Sequence, residues 1–116
     1  MNDKTVYSMD EMMVIGFDPL PYKMMEQEGE FKATLDFKRW GKKQNLVAYF
    51  SVEEIGKIVA STFWNREYLN LKEIPIGSKL IITFSRKGKT GNYLRKLQVL
   101  DFEGNIKETY NRISSV

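Results

Sequence analysis

From Phe31 to Lys38 apolar and polar residues alternate without a break, and a period of two is the pattern of a β-strand with one face on a core. Phe31, Ala33, Leu35 and Phe37 are therefore expected on the core side, with Lys32, Thr34, Asp36 and Lys38 opposite. The pattern recurs. Gly41-Lys42-Lys43-Gln44-Asn45 reads as a turn and Leu46 to Val52 as a second strand. Gly56 closes a short turn and Lys57 to Trp64 reads as a third strand, paired with the second as a hairpin. If Glu53 to Gly56 form a four-residue turn, Phe50 opposes Val59, Ala48 opposes Ser61 and Leu46 opposes Phe63. Tyr49 and Trp64 then lie on the outer face, although a shift of one residue exchanges the faces.

Residues 65 to 74 lose this period; Asn65 as an N-cap and Pro75 as a stop predict one short helix at most. Lys79 to Arg86 reads as a fourth strand, Gly88 to Asn92 as a turn and Tyr93 to Phe102 as a fifth strand. Leu94, Leu97, Val99 and Leu100 do not share one parity, and a bulge near Arg95-Lys96 reconciles them. Three strands, a short helical connection and two strands predict an all-β, five-stranded OB-fold barrel, with an SH3-like barrel as the nearest competitor. Met12 to Phe17 reads as a short strand broken at Asp18-Pro19-Leu20-Pro21. Residues 1–29 are thus expected to be an arm or edge strand that lies on the barrel or joins a neighbouring subunit, residues 30–102 the barrel, and residues 103–116 a C-terminal extension.

With 116 residues the chain has the size of one domain, and it contains neither cysteine nor histidine. Thiolate chemistry, disulfides, and the commonest metal ligand and general base are therefore absent from it. No catalytic residue, metal or cofactor is expected. No apolar run approaches the length of about 18 residues that would span a membrane, and Met1-Asn2-Asp3-Lys4 does not open like a secretory signal. A cytoplasmic location is expected.

The charges are sorted along the chain. Residues 1–31 carry two bases against seven acids, whereas Lys32 to Lys96 carry fourteen bases against five acids, a local balance of +9. A segment this basic attracts polyanions, and nucleic acid is the default polyanion. Single-strand binding needs cations for phosphates and aromatic faces for bases, and both are interleaved here. Lys38, Arg39, Lys42 and Lys43 surround Trp40 in the first turn; Arg86, Lys87, Lys89 and Arg95 surround Tyr93 in the last. Arg66 adds a cation beside Trp64. The parity of Trp40 places it outside the barrel, with a tryptophan closing the barrel end as the alternative reading. Together with Tyr49 and Trp64 these residues make the predicted DNA-binding set. Gly88-Lys89-Thr90 lacks the first glycine and the following helix of a P-loop, and Glu53, Glu54 and Glu67 do not form a convergent carboxylate site.

On this strand order and on the segments Lys38–Lys43 and Arg86–Lys96, the chain resembles the small single-stranded DNA-binding proteins of bacteriophages, most closely the compact OB-fold type of lactococcal phages. The resemblance covers roughly residues 31–101. It implies non-catalytic coating of single-stranded DNA during phage replication or recombination, with DNA across the outer face of the second and third strands. It further implies a homo-oligomer, dimer or tetramer, and contacts with phage or host recombination and replication proteins, without a membrane partner. Bacterial single-strand binders usually end in an acidic tail closing on Pro-Phe; the ending Asn111-Arg112-Ile113-Ser114-Ser115-Val116 departs from that pattern, so tail-mediated recruitment is not expected. A protein-interaction OB module of a phage assembly and an RNA-binding OB protein are the alternatives.

Overall fold

The computed structural model describes residues 3–42, 45–62, 71–86 and 92–111, with side chains described at all of these but 62 and 92. Six strands follow a short helix: α1 (Met9–Val14), β1 (Gly29–Trp40), β2 (Leu46–Val52), β3 (Gly56–Thr62), β4 (Lys79–Arg86), β5 (Asn92–Leu100) and β6 (Ile106–Asn111). They form one antiparallel sheet in the order β3-β2-β1-β4-β5-β6. The fold is mainly β and barrel-like. β1 is long enough to pair with β4 through its first half and with β2 through its second, and the sheet curls until β3 meets β5. That is the strand order of a five-stranded OB barrel, with β6 added along the β5 edge.

The sixth strand corrects the expectation of five. Residues 106–111 carry few apolar side chains because β6 is an edge strand, exposed along most of its length. Only Tyr110 packs on the core, while the Asp101 carboxylate organises the preceding turn by accepting the N–H groups of Glu103 and Asn105.

Two bulges decide which residues face inward. On β5 the register slips by one at Arg95, so Leu94, Leu97 and Val99 all reach the core as expected, whereas Leu100, grouped with them by the parity argument, stays half-buried outside it. On β1 a slip at Asp36 was not foreseen: Leu35 pairs with Phe50, but Phe37 pairs with Tyr49. Alternation therefore reverses after Leu35. Lys38 and Trp40 turn toward the barrel interior, whereas Phe37 turns to the outer face, which corrects the expectation that Phe37 lines the core.

The β2–β3 register also differs from expectation by one residue. Val52 pairs with Gly56, leaving a turn of Glu53, Glu54 and Ile55 in which Glu54 takes a left-handed φ of 70°. Phe50 then opposes Ile58 and Ala48 opposes Ala60, so Ile58 and Ala60 are core residues and Val59 joins Tyr49 outside. The shorter loop puts Ile58 and Ala60 inside in place of Val59 and Ser61.

The arm forms a helix where a strand was expected. Ser8 and Glu11 make a reciprocal capping box, Ser8 Oγ accepting from Glu11 N–H and Glu11 Oε1 from Ser8 N–H, and Gly16 leaves the helix at φ 80°. On either side of α1 the arm holds the barrel by backbone bonds. Trp40 N–H donates to Tyr7 O at 2.7 Å, and Val59 N–H donates to Lys23 O at 2.9 Å. In the predicted helical connection, residues 63–70 lie outside the described residues, and Leu71–Glu73 form a single 3-10 turn whose Leu71 and the following Ile74 are buried.

Candidate nucleic-acid interface

The β1–β2 turn was the first predicted cluster, and the bulge at Asp36 divides it. Lys38 is fully buried, and its ammonium donates to the carbonyls of Leu71 at 2.8 Å, Lys72 at 2.9 Å and Ile74 at 2.5 Å. All three protons of the ammonium are thereby used. Burial pushes the Lys38 pKa down to about 8. The expectation that Lys38 stands in solvent beside phosphate is corrected: it ties the 3-10 turn to the barrel. Trp40 is half-buried against the core, with the Lys72 ammonium 5.6 Å from its ring centre, so its predicted place outside the barrel is corrected too. Lys42 is exposed, and the turn is drawn shut beneath it by Gly41 N–H donating to Asn45 O at 2.7 Å. A Cβ at Gly41 would meet the Asn45 side-chain amide, which would have to move aside. Lys43 lies outside the described residues.

The second and third strands were expected to offer an open aromatic face. Instead the arm crosses it. Phe17 and Tyr7 of the arm stack on Phe37 at centroid distances of 4.2 and 4.9 Å, and Phe17 and Tyr22 meet Tyr49 edge-on at 5.0 and 5.1 Å. Each such pair contributes about 0.5–1.5 kcal/mol beyond its buried area. Met12 from α1 completes the cluster, and Tyr49 is buried. Tyr49 keeps its predicted outer face but not its predicted exposure. Arg39 is consumed in the same layer: its Nε donates to Tyr49 Oη at 2.9 Å and its guanidinium lies 5.9 Å from that ring centre.

A polar latch holds the far side of the arm. The bulged Asp36 accepts from Tyr22 Oη at 2.7 Å and from Ser51 Oγ at 2.5 Å, with Lys57 Nζ 3.9 Å away. Burial and the bond to Asp36 together hold the Tyr22 phenol well above the usual tyrosine range. At the start of the arm, the Tyr7 phenol donates to Asp3 and is raised, while a bond from Thr5 N–H lowers the Asp3 carboxyl.

The second predicted cluster keeps more of its exposure. Arg86 is exposed at the end of β4 and Arg95 at the β5 bulge, and Tyr93 stands half-buried opposite Ser85. Lys87 and Lys89, like Trp64 and Arg66, lie outside the described residues. The structure thus brings Arg39 to Tyr49 and sets Arg86, Tyr93 and Arg95 at one end of the β4–β5 pair, while Lys38 and Trp40 serve the barrel interior.

The predicted set left out Lys32, Lys79 and Lys96 on the outward face of β1, β4 and β5. Lys32 pairs with Ile81, Ile81 with Gln98 and Gln98 with Thr109; in the neighbouring row Glu30 pairs with Thr83, Thr83 with Lys96 and Lys96 with Asn111. Lys79 opposes Thr34 and donates to its hydroxyl at 3.0 Å. The two-residue period already placed Lys32 and Lys79 on this face; Lys96 needed the bulge.

No protein-family model matches the chain, and neither the curated proteins nor the solved structures yield a match. Its chemistry has to be read from its own residues. Among the described residues no group of three or more carboxylates could hold a metal, and no helix is long and apolar enough to cross a membrane. What the arrangement offers is cations carried on a rigid sheet beside hydroxyl and amide groups, a surface suited to a flexible polyanion.

Proposed function

We propose that this chain is a non-catalytic binder of single-stranded DNA of the phage type, acting in the cytoplasm of the host cell during replication or recombination and assembling as a homo-oligomer. The observation that carries the reading is a coincidence of topology and charge. The segment that builds the OB strand order, Lys32 to Lys96, holds the +9 balance, while the acids gather in the arm packed against one face of it. Lysine and arginine on a sheet replace counterions along a phosphate chain and need no particular base.

Anisotropy of a fluorescent oligo-dT across a salt series tests this reading. Tight binding is expected, with log affinity falling against log salt at about −0.7 per phosphate contacted, near −3.5 for five contacts. A flat salt response, or equal competition by duplex DNA of the same length, would overturn it. RNA of the same length, run in parallel, reports whether the surface distinguishes the two sugars.

A second reading has an observation of its own. Met13, Val14, Ile15 and Leu20 of the arm are 72, 86, 53 and 87% exposed, a concentration of apolar surface suited to protein docking. If oligo-dT does not bind while a Val14→Asp variant loses a protein partner, the chain is an interaction module.

A further inference from the structure

We propose that a bound single strand runs over the outer face of β1, β4 and β5, and not over the β2–β3 face that a five-stranded OB barrel would use. The inference rests on the single-strand reading above and names its surface. The arm removes the other candidate: Phe37, Val47 and Tyr49 are buried, and the arm rings Tyr7 and Phe17 already stack on Phe37. On the β1–β4–β5 face Lys32 and Lys79 are exposed, and Ile81, Lys96 and Gln98 are accessible in part.

Register sets the cations in line. Ser51 pairs with Lys57 on one side and Thr34 on the other, so Lys57 shares a row with Thr34 and Lys79; Lys32 is one row further along and Lys96 one row beyond that. Lys57, on β3, is held at the Asp36 latch and bounds this face, while the step from Lys32 to Lys96 crosses two strands and two residues. At sheet spacings that is about 12 Å along one diagonal. Tyr93 stands beyond Lys96 on the same face of β5, where a base leaving the diagonal meets an aromatic ring.

One hydroxyl marks the path. Thr83 Oγ1 is buried and has no hydrogen-bond partner among the described residues. It lies between Glu30 and Lys96 in the same row, and the Glu30 carboxylate reaches across it to the Lys96 ammonium at 3.8 Å. Glu30 is thus an internal anion at a cation that a phosphate would take. When a phosphate displaces it, Lys96 exchanges one oxyanion for another and the Thr83 hydroxyl gains an acceptor.

The test is oligo-dT anisotropy with the full chain, a Lys32→Ala/Lys96→Ala double variant, Glu30→Gln and, as a control at the turn, Lys42→Ala. The double variant is expected to lose at least tenfold in affinity and to flatten the salt slope by about 1.4, two contacts at about 0.7 each. Glu30→Gln is expected to bind several-fold more tightly. Circular dichroism melts check the fold; if the alanine pair melts early, Lys32→Gln/Lys96→Gln repeats the measurement with longer side chains. If the unaltered chain binds while the double variant binds equally with the same slope, the strand runs elsewhere and the single-strand reading stands. An affinity loss with an unchanged slope, or weaker binding by Glu30→Gln, also overturns the path. Failure of the unaltered chain to bind at low salt removes the single-strand reading and the path together.

Discussion

Val47 and Tyr49 point outward from β2 and are buried, whereas Ile81 and Gln98 point outward from β4 and β5 and are only half-buried. Both pairs arise from the same two-residue alternation in one continuous sheet. The difference comes from outside the sheet: an acidic arm carrying Tyr7, Met12, Phe17 and Tyr22 lies across the first face and leaves the second to solvent. Outward parity on a strand therefore identifies a face and does not establish that the face is available. In this chain the aromatic face is the covered one, and the basic face is the accessible one.

The largest expected effect comes from stripping the cover. A chain starting at Gln27 loses Met12 and Met25 from buried positions along with the rings stacked on Phe37, a loss of about 5 kcal/mol or more when buried methionine side chains and aromatic pairs are counted together. Chemical denaturation should show it as largely unfolded, with strong binding of an apolar dye. A stable, fully folded truncation would mean that the arm is an ornament and the two faces are equivalent.

Next is the inward side of the bulge. Lys38→Met leaves the carbonyls of Leu71, Lys72 and Ile74 without their donor and should cost about 3 kcal/mol in urea denaturation near neutral pH. The unaltered chain should also respond to alkali with a definite sign. Because the folded Lys38 pKa of about 8 lies below its ordinary 10.5, the folded state binds fewer protons between those values, and stability should rise as pH climbs through that window. The gain is on the order of 1–3 kcal/mol. Above pH 10 the raised phenols of Tyr7, Tyr22 and Tyr110 act in the opposite direction, since the unfolded chain ionises first. Lys38→Met should abolish the rise between pH 8 and 10.

Trp40→Ala is expected to cost the fold about 2 kcal/mol, less than a fully buried tryptophan, because Trp40 is half-buried. Its oligo-dT affinity, measured where the variant is folded, should stay within twofold of the parent. A large affinity loss with an unchanged melting temperature would return Trp40 to the binding surface. The smallest effect belongs to the latch: Tyr22→Phe removes the bond to Asp36 and should cost about 1 kcal/mol, read as faster amide exchange in the arm before global unfolding.

Much of the architecture is legible in the sequence because alternation is local. The five expected strands, the bulge at Arg95 and the hairpin between β2 and β3 follow from residues a few positions apart. Ser8 and Glu11 also announce a capping box, and α1 could have been read from them. Tertiary structure alone decided the rest. Nothing local at Asp36 marks a bulge; it forms where β1 must leave β4 and continue along β2, with Tyr22, Ser51 and Lys57 gathered around the extra carboxylate. That one inserted residue moves Lys38 and Trp40 inside and Phe37 outside. The arm then covers the face that Phe37 joins, because its rings find partners only after β1 and β2 are paired. Strand period is a property of neighbouring residues, whereas facing and cover depend on pairings between distant ones, and in this chain those pairings decide which cations remain in solvent.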